Sequence, residues 1–275
     1  MKVSILTENT VYKRGFAGEH GLSLLIETEG RRFLFDTGQT RVFQRNAETL
    51  KEKLEELDGI ILSHGHYDHC GGLGNWLAEE RRELPCPVYI NARAFEGKYT
   101  RNPQNGQIRY IGIDWKQEVC GEELRLIQEK KQEIAENVFL LSQIPYQIAF
   151  EPKPQLFYQD EAGTIPDTMA DEQLLVIREE KGLYVFAGCA HPGIINCLTY
   201  VKEHFPGEHI YGIFAGMHLK GCSKERLKST IQELKTVDAP LVVPMHCTGI
   251  LAIAAIKEAL GDTCVLAEAG KIINA

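Results

Sequence analysis

The sequence has little that would tie it to a membrane, an oxidising compartment or a polyanion. No apolar run approaches the length needed to cross a bilayer. The opening MKVSILTENTVYKRG is interrupted by Glu8 and Asn9 before it can form the apolar centre of a signal peptide. Eight cysteines, at positions 70, 86, 120, 189, 197, 222, 247 and 264, are scattered without a single CxxC pair. Reduced thiols in a cytoplasmic protein follow most simply. Positive charge is in deficit, with 30 Lys and Arg against 38 Asp and Glu and a net charge of −8. That balance argues against a nucleic-acid backbone as the main partner. The basic pairs Arg31-Arg32, Arg81-Arg82 and Lys130-Lys131 suit solvated faces, or local retention of an anionic small molecule. Linker composition is missing too. The 275 residues, 44% hydrophobic and 25% charged, therefore read as one α/β domain. The expected partner is a small-molecule substrate, with no nucleic acid and no membrane; assembly into a homo-oligomer stays open.

What is present is a series of short apolar strands separated by turns and helices. Lys2–Thr7 reads as a strand, and 22–28 with Arg31–Phe35 as a hairpin turning at Glu29-Gly30. Residues 41–57 are helical by pattern, with Leu50, Leu54 and Leu57 in step. A buried strand at 60–62 leads to a helix through Trp76 and Leu77 that runs until Pro85, then to a strand at Val88–Asn91. Periodicity weakens over 92–134, where Gly, Pro and Asn gather in GKYTRNPQNGQ. Such an insertion is either a lid over substrate or a peripheral β-excursion. Strands are expected at 138–141, 174–177 and 183–187, the last two as a hairpin, with a loop-rich surface connection over 145–168 between the first and the second. A helix follows with Ile194, Leu198, Val201 and Phe205 on one face, stopped by Pro206-Gly207. Strand 210–214, a helix opening near Ser223, strand 241–243, a last helix ending at Gly261 and a short strand at 265–267 complete the chain. Two β-rich halves, each ending in alternating helix and strand, predict two face-to-face sheets with helices outside: a four-layer αββα sandwich.

Chemistry concentrates in SHGHYDHCGG, 63–72, which carries His64, His66, Asp68 and His69 within six positions. Imidazole and carboxylate are ligands of first-row metals, and four of them this close do not all enter an apolar core cheaply. In extended chain His64 and His66 share a side, and a helix starting behind them would bring Asp68 and His69 from another direction. Gly71-Gly72 would let backbone pass close to a metal or substrate. The same design recurs elsewhere: an apolar strand stops, and a His or Asp appears in the next turn. FDTG carries Asp36, GCAHPG carries Cys189 and His191, AGMHL carries His218, and PMHCTG carries His246. Loops at the same ends of sheet strands converge on one cleft. Asp36 suits either an Asx turn or a hydrogen bond to a ligand histidine. Thr248 reads as the N-cap of the last helix, whose start could alternatively favour an anion. His20, in the loop GEHGLS, is on its own no more than an exposed histidine.

HGHYDH is similar to the HxHxDH signature of the metallo-β-lactamase superfamily, and the resemblance runs along nearly the whole chain in the right order. More narrowly, EHGLS, FDTG, GCAHPGI, AGMHL and MHCTG resemble a subgroup labelled dihydropteroate-synthase-like. That subgroup includes an archaeal enzyme joining a phosphosugar to an aromatic amine in pterin-cofactor synthesis. The resemblance implies a metallo-β-lactamase fold and a dinuclear site. His64 and His66 would serve one metal, Asp68, His69 and His246 the other, with Asp36 matching the family's first Asp.

Two departures stand out against the family pattern. Its third-motif histidine is missing from 139–190, which contains no His; His191 is the stronger substitute, with Asp171 or Glu172 as oxygen alternatives. The bridging Asp is replaced by Cys189, either a ligand or a buried thiol. One or two zinc ions suit this mixed donor set, and iron and manganese are compatible with it. Asp68 would orient or deprotonate a nucleophile, and His218 would donate to a leaving group or bind substrate. His20 and Thr248 join Asp36 behind the ligands or against substrate. The expectation is a metal-dependent hydrolase of a small anionic molecule, with a pterin-pathway synthase or an idle metal or redox sensor as alternatives.

Overall fold

Glu29 and Gly30 both take positive φ, 45° and 77°, the combination a two-residue turn needs to match the twist of its flanking strands. Ser23–Thr28 and Arg31–Phe35 consequently pair antiparallel, with Thr28 opposite Arg31. A computed structural model describes residues 1–80 and 84–275; the Arg81-Arg82 pair lies outside the described residues. The chain forms two compact units.

The first unit comprises Met1–Gln128, Pro154–Asp171 and Glu268–Asn274. Its main sheet runs in the order Ile272–Asn274, Lys2–Thr7, Ser23–Thr28, Arg31–Phe35, Gly59–Leu62, Val88–Asn91, Leu124–Ile127. The first three pairings are antiparallel and the last three parallel. Helices α1 (Val42–Leu50) and α2 (Tyr67–Glu80) bury Phe43, Ala47, Leu73 and Trp76 with Leu25, Leu34, Ile60 and Leu62 of the sheet. The rings of Phe43 and Trp76 meet edge to face at 5.9 Å.

Three expectations need correction here. The helix expected over 41–57 stops at Leu50, because Lys51 turns left-handed (φ 61°) and Leu54–Glu56 forms a separate short 3₁₀ turn. The closing strand is not 265–267 but Ile272–Asn274, paired with Lys2–Thr7; before it, Cys264 makes only an isolated bridge to Val242. The stretch 92–134 is also less irregular than its composition suggests. Tyr99–Arg101 and Ile108–Tyr110 pair with each other, and Phe157–Tyr158 adds a third strand beside them. Leu124–Ile127 belongs to the main sheet.

The second unit comprises Glu129–Lys153 and Glu172–Ala267, with Ala275. Its sheet has the order Leu241–Met245, Ile210–Gly216, Gly182–Ala187, Gln173–Glu179, Val138–Ser142, Lys131–Ala135, parallel in the first two pairings and antiparallel in the rest. Helices α3 (Ile194–His204), α4 (Lys224–Val237) and α5 (Ile250–Leu260) supply Leu198, Val201, Leu234 and Ile256 to a core shared with Leu141, Val176, Val185 and Ile213. Ser223 caps α4 by accepting the Arg226 N–H. The start of α3 is capped by a distant residue: Ile195 and Asn196 donate to the buried carboxylate of Glu151 at 2.9 and 2.7 Å. Burial pushes that carboxyl upward, against the pull of the two N–H groups. Thr248 does not cap α5, whose N-cap is Gly249. Its hydroxyl instead accepts the Met217 N–H at 2.9 Å.

Gly71 and Gly72 serve packing rather than approach to a ligand. A Cβ on Gly72 would stand 2.0 Å from the Thr37 carbonyl and 2.7 Å from that of Thr40. Gly72→Ala is therefore expected to cost about 3 kcal/mol, since α2 must lift off the 37–40 backbone. In thermal unfolding that is a fall of roughly 6–12 °C; an unchanged midpoint would show that α2 has room to shift.

Candidate metal centre

In the first unit the site grows from the turn after Arg31–Phe35. Asp36 is completely buried and left-handed, at φ 58°, a conformation that costs a non-glycine residue about 1–2 kcal/mol. Its carboxylate is heavily used. Oδ1 accepts the Ser63 N–H at 2.7 Å, while Oδ2 accepts the Ser63 hydroxyl at 2.8 Å and His69 Nδ1–H at 2.6 Å. With its one proton given to Asp36, the Ser63 hydroxyl can only accept from His64 Nδ1, 2.9 Å away. Both imidazoles are thus fixed as Nδ1–H tautomers, leaving Nε2 of His64 and of His69 as lone-pair donors.

The neighbouring side chains are just as closely held. His64 Nε2 and His66 Nδ1 face each other at 2.9 Å, a separation at which two nitrogens share either a proton or a cation. Thr37 donates its hydroxyl to the His69 carbonyl at 3.0 Å and receives the Leu73 N–H, pinning the start of α2. Asp68 lies on that first turn, with Oδ2 3.1 Å from His20 Nε2 and 3.9 Å from His69 Nε2. His64, His66, Asp68 and His69 are all buried, whereas the His20 side chain is 53% exposed.

In the second unit three strand ends carry the donors. Ala190, His218 and His246 are left-handed, at φ 49°, 46° and 52°, each turning the chain sharply off its strand. His191 receives the same treatment as His69: Glu172 Oε2 accepts both its backbone N–H at 2.9 Å and its Nδ1–H at 2.7 Å. Its ring lies 4.7 Å from that of His218. Ligand atoms of Cys189, His218 and Cys247 lie within 4.8 Å of one another. Cys247 Sγ accepts the His218 N–H at 3.3 Å. Burial alone would push the Cys247 thiol up. Hydrogen bonds with Cys189 and His218, and the charges of His246 and His218, outweigh it and hold the thiol well below the ordinary range. His246 opens the short turn His246–Thr248.

Within the first unit the fold brings His20, Asp36, His64, His66, Asp68 and His69 together; within the second it brings Cys189, His191, His218, His246 and Thr248 to neighbouring strand ends. The two alternatives for the missing histidine are both engaged elsewhere. Asp171 gives Oδ2 to the Gly65 N–H and Oδ1 to Lys98, and Glu172 orients His191. Reading the chain alone missed Ser63 and Cys247, although each directly adjoins a ligand candidate and could have been found that way. Lys98 carried no local signal.

Comparison with known proteins identifies the family. The metallo-beta-lactamase superfamily model matches residues 17–123. An uncharacterized protein of Methanocaldococcus jannaschii, MJ0448, is 34% identical over 274 residues, spanning 99% of each chain. A second protein of that organism, 7,8-dihydropterin-6-methyl-4-(beta-D-ribofuranosyl)-aminobenzene-5'-phosphate synthase, is 31% identical over 287 residues, covering all of this chain and 96% of its own. The solved structure of Tm1679, described as a metal-dependent hydrolase of the beta-lactamase superfamily, superposes with a TM-score of 0.84 at 31% identity over 100% of this chain and 99% of its own. With relatives this similar from end to end, and the HGHYDH run inside the matched region, the chain belongs to the metallo-β-lactamase superfamily and has its fold.

Proposed function

We propose that the protein is a metal-dependent hydrolase of a small anionic molecule. The observation that carries this reading is the bracing of buried imidazoles: Asp36 holds His69 directly and His64 through Ser63, and Glu172 holds His191. A carboxylate that fixes one ring nitrogen as a donor leaves the other as a lone pair, the arrangement a divalent cation requires. The donor chemistry fits such an ion. In the first unit His64, His66, Asp68 and His69 offer nitrogen and oxygen; in the second Cys189, His191 and His246 offer sulfur and nitrogen. Zinc suits that mixture best, with iron and manganese next. One ion or two are compatible with the ligands named.

When bound, a divalent ion there supplies Lewis acidity, lowering the pKa of water towards about 7 and steadying negative charge that develops on oxygen. The protein's own groups have separate tasks. Asp68 accepts and passes a proton, and the half-exposed His20 beside its carboxylate carries that proton towards solvent. His218, close to His191, donates to a leaving group or binds substrate.

A second reading is a synthase. It is favoured by similarity, over all of this chain, to a relative whose name describes a product containing dihydropterin, aminobenzene and ribofuranosyl phosphate groups. The same ligands would then hold a metal that aligns two substrates.

Metal content tests the reading directly. His66→Ala should remove about one metal per chain in elemental analysis, because a site with fewer imidazoles holds zinc poorly; full content in that variant would refute the assignment of the 63–72 loop. Cys189→Ser should change metal stoichiometry or affinity if the thiol is a ligand, and unaltered binding would make it a buried thiol only. On a panel of phosphodiesters, phosphomonoesters, lactones and thioesters, metal-dependent turnover of at least one class is expected. Inactivity on all of them, with metal bound, would favour the synthase.

A further inference from the structure

Residues from 92–134 and 154–171 meet the metal-ligand loop at several points. The Ala94 carbonyl lies 2.1 Å from where a Cβ on Gly65 would stand, so only glycine fits between His64 and His66. The Ile111 carbonyl accepts the Tyr67 N–H at 3.0 Å. The Phe157 ring stacks on His66, centroids 5.8 Å apart and planes within 21°. Asp171 Oδ2 accepts the Gly65 N–H at 2.8 Å. The other oxygen of Asp171 accepts from Lys98 Nζ at 2.6 Å, and Lys98 also donates to Asp167 at 2.9 Å. Asp167 in turn accepts the Met169 N–H at 2.8 Å.

Lys98, Asp167 and Asp171 are between 1% and 3% exposed. Three buried charges are an expensive way to obtain stability, since well-packed apolar residues of similar volume often serve equally well. What this cluster supplies, and apolar residues could not, is an acceptor held rigidly under one particular amide. That amide lies between two metal-ligand candidates two residues apart, and turning its peptide plane would swing both imidazoles.

We propose that Asp171, set in place by Lys98, is a positioning residue that holds the Gly65 amide so that His64 and His66 are arranged for a cation before one binds. The inference rests on the metal reading above. It gives the insertion a role distinct from that of a lid over substrate: through Lys98 it braces the ligands from behind. Loss of an outer hydrogen bond of this kind typically weakens metal binding about 10–100-fold.

The test compares Asp171→Asn with Asp171→Leu in the full chain. Both remove the charge that pairs with Lys98, and both should lower the melting temperature. The asparagine oxygen can still accept the Gly65 N–H; the leucine cannot. Zinc affinity, measured by competition with a chromophoric chelator, should stay within about threefold of the original in Asp171→Asn and fall about 10–100-fold in Asp171→Leu. The absorption bands of the cobalt-loaded protein should shift only in the leucine variant. Equal affinity in the two variants, whether both fall or neither does, would overturn the proposal. Should Asp171→Leu fail to fold, hydrogen exchange of the unaltered, metal-free protein decides. The Gly65 amide is expected to be protected, and exchange at the rate of an open loop would overturn the proposal. If the unaltered protein binds no metal at all, the metal reading itself fails, an outcome separate from the rest.

Discussion

Burying an imidazole in a protein that must keep one of its nitrogens available to a ligand is costly unless the other nitrogen has an acceptor. That constraint governs the turn after Arg31–Phe35. Asp36 reaches Ser63 and His69 from a left-handed backbone, and its own N–H is satisfied by the Ile61 carbonyl at 2.8 Å. The conformational cost of about 1–2 kcal/mol is set against a charge-assisted bond to His69 and two further bonds to Ser63, and hydrogen bonds to charged groups contribute about 1.5–3 kcal/mol each. The rest of the first unit follows from this turn: strand Gly59–Leu62 must sit beside Arg31–Phe35 to deliver Ser63, and α2 must start at Tyr67 to present His69.

The second unit solves the same problem independently. Glu172 begins where Asp171 leaves off, at the head of strand Gln173–Glu179, and reaches the turn after the paired strand Gly182–Ala187. There Ala190 takes the left-handed conformation and His191 donates two hydrogen bonds to one carboxylate oxygen. Strained backbone at His218 and His246 completes the pattern. At Asp36, Ala190, His218 and His246 a positive φ takes the chain sharply off a strand end, and such strain survives only where surrounding bonds over-determine it. Adjacent acids, Asp171 and Glu172, thus serve different histidine turns, one through a backbone amide and one through a ring nitrogen.

How much of this could be read from the residues depends on the range over which each signal acts. Strand Lys2–Thr7, the hairpin at Glu29-Gly30 and the helix opening near Ser223 are encoded within a few residues, and all three form. The histidine run was legible for the same reason: its ligand types are neighbours in sequence. Lys98 was not, because its partners lie 69 and 73 residues further on, and a lone lysine in a Gly- and Asn-rich stretch gives no hint of burial. Thr248 misled because Thr before an apolar helix is an ordinary N-cap pattern. A tertiary bond to Met217 took the hydroxyl instead, leaving Gly249 at the cap. The misplaced last strand has a similar origin: the edge position beside Lys2–Thr7 goes to the segment that reaches it, and local propensity does not decide which one does.

The donors of the two units differ in kind, and the difference has chemical consequences. The first offers imidazole and carboxylate, the second imidazole and thiol, with Cys189 and Cys247 close together. A thiol held below its ordinary pKa is a better ligand for zinc or ferrous iron than a neutral one, because the thiolate is the binding form. It is also the more easily oxidised form. A carboxylate in the same place would coordinate without that liability, but as a harder donor it would discriminate less in favour of soft cations. Burial of both sulfurs, 4% and 9% exposed, limits access by oxidants while leaving the donor character intact. On the metal reading proposed above, sulfur donors would make the second unit the more selective for soft cations, whereas the hydrogen-bonded His64 and His69 of the first unit would accept any of several.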